Sequence, residues 1–230
     1  MSNKTDIHPI SFNQVRFCYA NVCALGDVTF KIPRKTLTAL AGPNGGGKST
    51  LIRLIAGLLK PESGRIERRQ TIAYVPQVPA FDTSFPLTVR EVVLMGTLEA
   101  AIRPFAHYKA KQKQVASQAI SKVGLTDFEN RGIGQLSGGQ LRRVMIARAL
   151  ASAADVIALD EPDANLDIDA ARELYALLHT LKAEKTIILA SHHIDEMLDI
   201  ADRAFYVNRT VAVYDRPHDL KELLKDGLIR

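Results

Sequence analysis

No apolar run in the 230 residues approaches the ~20 that a membrane-spanning helix needs. The opening stretch, Met1 to Ile10, lacks the basic-then-apolar pattern of a secretory signal, so any membrane role is expected to be peripheral. Cysteine is scarce. Cys18 and Cys23 are the only two, and neither has Cys or His partners at zinc-site spacing, so they read as a reduced pair rather than a disulfide or a metal site. Internal repeats and low-complexity segments are missing. Aromatics make up only 6% of the chain, yet 47% is hydrophobic and 24% charged, a balance that suits one large globular domain, or a core with an inserted subdomain, and is ample for a buried core. The formal charge is +5, but the basic residues are dispersed. Their densest cluster, Lys109, Lys111 and Lys113, alternates with Ala and Gln, the pattern of a solvated helix face, so no nucleic-acid partner is expected.

What is present reads first as strands. Phe12 to Tyr19 alternates in character, and a second such run holds Val28, Phe30 and Ile32; both fit an antiparallel layer. Three short apolar runs, Leu37–Ala41, Val156–Leu159 and Thr186–Ala190, fit strands buried on both faces, as in a parallel sheet. Each ends in residues with chemical potential: Gly42-Pro43-Asn44, Asp160-Glu161 and Ser191-His192. Ligands of open α/β sheets gather outside the carboxyl ends of strands, so three such ends point to one site. Between about Thr88 and Ala151 the texture becomes helical, with two helices expected before Gly124 and a third opening after Ser137. Phe205–Val207 and Val211–Tyr214, flanking Asn208-Arg209-Thr210, read as a closing hairpin.

Gly42-Pro43-Asn44-Gly45-Gly46-Gly47-Lys48-Ser49 matches the P-loop pattern and lies between an apolar strand and an apparent helix over Thr50–Leu59, the context the motif requires. Glycines let backbone N–H groups turn onto phosphate oxygens, and the helix N-terminus adds positive potential. Lys48 would reach the β- and γ-phosphates and Ser49 would ligate Mg²⁺. Asp160 can hold Mg²⁺ and Glu161 can polarise the attacking water; the alternative, a pair of acids capping the next helix, does not account for a P-loop in the same chain. Leu136-Ser137-Gly138-Gly139-Gln140 opens a helix with Ser137 as N-cap and two glycines that leave N–H groups exposed to an anion. Nothing within one subunit requires that second phosphate-binding end.

In order and kind, the P-loop, LSGGQ at 136–140 and Asp160-Glu161-Pro162 resemble the ATP-binding cassette (ABC) ATPases, over essentially the whole chain. The resemblance implies an α/β P-loop NTPase core, a RecA-like parallel sheet with an N-terminal antiparallel β layer, in a single domain over residues 1–230. A helical subdomain carrying LSGGQ would be inserted at about 88–151. It implies ATP and Mg²⁺ as ligands, and a head-to-tail dimer with a second copy or a homologous subunit. In that dimer Ser137, Gly138, Gly139 and Gln140 of one subunit close on the γ-phosphate held by the other's P-loop, Gly42 to Ser49 and Thr50. Piecewise, Tyr19 resembles the aromatic that stacks on adenine, against the alternative of a core strand aromatic. Gln77 resembles the glutamine that senses Mg²⁺ and links hydrolysis to the membrane partner. Asp167, in Ala164-Asn165-Leu166-Asp167, resembles a residue of the dimer seam, and His192 the switch histidine on the γ-phosphate.

Three positions depart from the family pattern: Asp163 where Thr or an apolar residue is usual, His193 where Asp is common, and Gly46 where Ala, Ser or Cys is frequent. His192 and His193 would point to opposite faces if both continued the strand, which argues against a metal site there. The segment Phe85–Gly96 and the late Val207-Asn208-Arg209 resemble metal-ion and iron-chelate importers. The resemblance thus implies an ATPase at the cytoplasmic face of the membrane, serving separate permease subunits and an extracytoplasmic binding protein. Soluble ABC ATPases with coiled-coil insertions or two cassettes, non-hydrolysing regulatory modules, and lipid or drug exporters are the rivals.

Overall fold

In the computed structural model, residues 8–77, 85–98 and 107–229 are described. Two β assemblies carry the chain. Strands β1 (Ile10–Tyr19), β2 (Val22–Ile32) and β4 (Ser63–Arg68) form an antiparallel layer in the order β2-β1-β4. The second sheet has the order β5-β6-β7-β3-β8-β9, built from β3 (Leu37–Ala41), β5 (Ile72–Val75), β6 (Val156–Asp160), β7 (Thr186–Ala190), β8 (Arg203–Asn208) and β9 (Thr210–Tyr214). Its first five strands are parallel and β9 closes it antiparallel, as the expected hairpin.

The three apolar runs are the sheet's centre. Every residue of β3, β6 and β7 is buried, as continuous hydrophobic strands require when both faces are covered. Period-two alternation divides them between two cores. Leu40, Ala158, Ile188 and Ala190 join Leu51, Ile52 and Leu54 of α1 (Lys48–Ile55) and the antiparallel layer. Phe30 links that layer to the sheet, stacked on Phe12 and edge-on to Phe205. Ala39, Ile157, Leu159, Ile187 and Leu189 face the opposite core, with α5 (Ile168–Leu181) and α6 (Ile194–Ile200).

The helical stretch contains α2 (Val89–Met95), α3 (Ala110–Lys122) and α4 (Gly138–Ala151), with short 3₁₀ turns at Thr126–Phe128 and Ile133–Gln135. Its buried residues, among them Val92, Ile120 and Val144, are continuous with the second core. A capping box starts α2: Thr88 accepts from the Glu91 N–H, while Glu91 reaches back to the Thr88 N–H. Lys111 and Lys113 lie on the exposed side of α3. The chain ends with α7 (Pro217–Lys225), which has proline in its first turn.

Cys18 and Cys23 are not a reduced pair: they are joined by a disulfide. The hairpin register sets them directly opposite each other on β1 and β2, with Cα atoms 3.8 Å apart. Their separation of five residues does not reveal this, because the two-residue turn Ala20-Asn21 has no glycine to mark it; Ala20 itself takes φ +46°.

Candidate functional site

Parity along β6 places Asp160 on the α1 side of the sheet, since it follows Leu159 and shares the face of Ala158. There its Oδ1 accepts a hydrogen bond from Ser49 Oγ at 3.0 Å, and its Oδ2 accepts one from the Tyr74 hydroxyl at 3.3 Å. Ser49 and Asp160 thus present two hard oxygen donors side by side, the ligand chemistry that suits Mg²⁺. Lys48 is buried and folds back over its own loop, donating to the carbonyls of Gly42 at 2.8 Å and Pro43 at 3.0 Å. Burial holds its ammonium below the ordinary lysine value, opposed by the nearby carboxylates of Glu161 and Asp160.

The loop is held from behind by the β8–β9 hairpin. The Arg209 N–H donates to Gly46 O at 2.8 Å, and a Cβ on Gly46 would lie 2.5 Å from the Val207 carbonyl oxygen. Gly46 is therefore a steric requirement of this chain, which accounts for one of its departures. Gly47 closes the loop at φ +106° as the N-cap of α1. This helix begins at Lys48, two residues earlier than the sequence pattern indicates, and ends at Ile55.

Beyond Asp160 the backbone turns sharply. Glu161 takes φ +48°, a strained value for a residue with a side chain, and its N–H is tied to Ala190 O at 2.9 Å. The turn aims the carboxylate at two partners: Oε2 accepts from Gln77 Nε2 at 2.5 Å, and Oε1 lies 2.7 Å from His192 Nε2. Gln77 follows β5 and His192 follows β7, so the three residues come from three strand ends. His192 remains half exposed. The two histidines lie past the end of β7 rather than within it, yet they diverge: His192 faces Glu161, and His193 Nε2 is 3.9 Å from Asp163 Oδ2.

Of the remaining sequence candidates, Ser137, Gln140 and Asp167 make no hydrogen bond to this centre among the described residues. Tyr19 is 46% exposed, which removes the core-aromatic alternative, and its ring meets Phe17 edge-on. With Tyr74, it helps to keep the guanidinium of Arg53 on α1 charged. Thr50 is buried in the first turn of α1. Ser137 and Gln140 form a reciprocal capping box at the start of α4, and Gly138 and Gly139 pack beside Leu166 and Ala170. Asp167 caps α5 by accepting from Ala170 N–H at 2.8 Å. Sequence reasoning gave no role to Tyr74, Tyr175 or Arg142. Tyr74 bonds Asp160, and Arg142 of α4 reaches the Pro76 carbonyl at 3.4 Å, beside Gln77. Pairing of β5 with β6 brings Tyr74 to Asp160, and packing of α4 on β5 brings Arg142 to Pro76.

A glycine cradle at the start of a helix, with a lysine inside it and a serine–aspartate pair beside it, defines a P-loop nucleotide hydrolase. Residues 25–164 match the family model for the ABC transporter. The manganese transport ATP-binding protein MntA of Synechocystis is 36% identical over 214 residues, 88% of this chain and 82% of that protein. The zinc transport ATP-binding protein TroB of Treponema pallidum is 38% identical over 213 residues, 87% of this chain and 79% of that protein. Among solved structures, one described as a metal-chelate type ABC transporter in an inward-facing conformation superposes with a TM-score of 0.84. It is 31% identical and covers 93% of this chain and 85% of its own. The ATP-binding cassette MJ1267 in its ADP conformation superposes with a TM-score of 0.86 at 25% identity, covering 97% of both chains. The chain belongs to the ABC transporter family, as an ATP-binding and ATP-hydrolysing subunit. Among the described residues no helix is long and apolar enough to cross a membrane.

Proposed function

We propose that this subunit energises the import of a metal ion or metal chelate through separate membrane subunits, from the cytoplasmic face of the membrane. The observation that carries the reading is the likeness to manganese and zinc transport subunits across more than four-fifths of this chain. Two copies, or one copy and a homologous subunit, would sandwich two ATP molecules head to tail. The α4 end at Ser137–Gln140 would face the γ-phosphate on the partner's P-loop, and Asp167 would lie near the seam. Tyr19 would stack on adenine. A groove of about 230 Å³ between β5, α2 and α4, lined by residues including Tyr74, Met95, Met145 and Arg148, is a seat of suitable shape for a permease helix. An extracytoplasmic binding protein would deliver the cargo.

The chemistry assigned to the site is in-line attack of water on the γ-phosphorus. The P-loop N–H groups and Lys48 hold the phosphates, and Ser49 and Asp160 hold the Mg²⁺ of the substrate, with Gln77 at its edge. Glu161 accepts the proton of the attacking water as the oxygen–phosphorus bond forms and the bond to the β–γ bridging oxygen breaks. Its two oxygens offer about four lone-pair positions, so bonding to Gln77 and His192 still leaves room for water. His192 would steady the γ-phosphate charge.

The test is uptake of labelled Mn²⁺, Zn²⁺ and an iron chelate by cells lacking this chain and complemented with wild type or Lys48→Ala. Restoration of one of these uptakes by wild type alone is expected. Equal uptake of all three in both strains, with normal ATP hydrolysis by the purified wild type, would refute the assigned cargo class.

A further inference from the structure

Just behind the Glu161–His192 pair lies a buried polar cluster that the reaction as assigned does not use. Asp163 is 1% exposed, Ser191 1% and Tyr175 4%. Asp163 Oδ2 accepts from Ser191 Oγ at 2.6 Å and from the Tyr175 hydroxyl at 2.8 Å. The Tyr175 and Ser191 oxygens are themselves 2.8 Å apart. Ser191 Oγ in turn accepts the His193 N–H at 2.8 Å, and the His193 ring approaches the same Asp163 oxygen. The other oxygen, Oδ1, is buried with no hydrogen-bond partner among the described residues. Retaining a half-satisfied carboxylate in the interior costs stability, and a threonine or apolar side chain would avoid that cost.

The cluster's position suggests what offsets it. Asp163 stands two residues beyond Glu161, in the same turn, and its contacts are to Ser191 and His193, the residues on either side of His192. Together with the 2.9 Å bond from Glu161 N–H to Ala190 O, these contacts close a ring. One arm is Glu161-Pro162-Asp163, the other Ser191-His192-His193, and the 2.7 Å contact between Glu161 and His192 lies across it. The two departures from the family pattern near the reaction centre, Asp163 and His193, thus face each other. Burial pushes the Arg142 guanidinium of α4 below its ordinary value, while the Asp163 carboxylate acts to keep it charged, and Tyr175 anchors the ring to α5. A hydroxyl or methyl group at 163 could not accept from both Ser191 and Tyr175 while facing His193 with a negative charge.

We propose that Asp163 is a positioning residue for ATP hydrolysis, clamping the backbone on both sides of His192 and so holding its ring on Glu161. The proposal rests on the roles assigned above to Glu161 and His192. It predicts that loosening the clamp lowers kcat while leaving the KM for ATP unchanged, because the P-loop contacts are untouched. It also predicts that the effect vanishes once His192 is gone.

The experiment is a double-mutant cycle on the purified chain, with kcat and KM for MgATP measured for wild type, Asp163→Asn, His192→Ala and the double variant. Asp163→Asn is expected to reduce kcat by up to about 10²-fold, the scale of a misplacement near 1 Å, at constant KM. In the His192→Ala background it should cause no further loss. Tyr175→Phe, which deletes one donor to the same oxygen, replaces Asp163→Asn if thermal unfolding shows that variant to be unfolded, and should show the same dependence on His192. Wild-type kcat in the clamp variants, or an equal fold-loss in both backgrounds, would overturn the proposal. Wild-type turnover by His192→Ala would instead remove the site reading beneath it, and the clamp with it.

Discussion

Gly46→Ala probes how tightly the phosphate loop is wedged against the sheet. The added Cβ would lie 2.5 Å from Val207 O and 3.0 Å from Pro43 O, and both obstacles are backbone atoms that cannot swing aside. A carbon–oxygen contact of about 3.3 Å is the close end of what structures tolerate, so the loop and β8 must part by roughly 0.8 Å. The 2.8 Å bond from Arg209 N–H to Gly46 O resists that movement. Overpacking of this kind costs about 1–3 kcal/mol, which for a chain of this size lowers Tm by about 2–12 °C. The displaced N–H groups belong to the loop proposed to hold the phosphates, so kcat/KM for MgATP should fall as well, by up to about 10²-fold. Calorimetric unfolding without nucleotide and steady-state hydrolysis read the two effects separately. Gly26→Ala is the control: a Cβ there meets nothing within 4 Å, and both readings should stay at wild type. A Gly46→Ala variant with unchanged Tm and unchanged kcat/KM would refute the wedge.

Two further perturbations address the fold. Leu159→Ala removes a fully buried side chain from the strand that carries Asp160 and should cost about 2–5 kcal/mol in a denaturant titration; a smaller loss would mean that this core collapses around the cavity. Thr88→Ala breaks the α2 capping box and should cost about 1 kcal/mol at neutral pH. The Thr88 N–H and hydroxyl hold the Glu91 carboxyl below its ordinary value; the variant keeps the N–H and loses the hydroxyl, whose share is present above the unfolded pKa of about 4.3 and is lost as pH falls through the lower folded value. The stability gap between wild type and Thr88→Ala should therefore narrow in acid below about pH 4; a gap independent of pH down to denaturation would argue against the box.

The parallel core was legible because strands buried on both faces read as unbroken apolar runs, and β3, β6 and β7 are such runs. The P-loop and Asp160-Glu161 were legible because their chemistry is written in consecutive residues. β4 and β5 were not: Ser63–Arg68 is largely exposed and polar, and Ile72–Val75 is an edge strand of only four residues, so neither carries a strong period. The same limit hid the disulfide, the Tyr74 bond to Asp160 and the Asp163 cluster. Each depends on register between segments tens of residues apart, or on a turn without glycine, and no local pattern encodes that. Gly46 was visible as a departure, but its cause was not, because the obstructing carbonyl belongs to Val207.

The most direct test of the central claim is MgATP hydrolysis by the purified chain beside Glu161→Gln, with oligomeric state followed by size-exclusion chromatography with and without ATP. If Glu161 takes the proton of the attacking water, the variant loses about 10²–10⁴ in turnover and accumulates as an ATP-bound dimer. Turnover equal to wild type in Glu161→Gln would contradict the account and return the role of base to another residue.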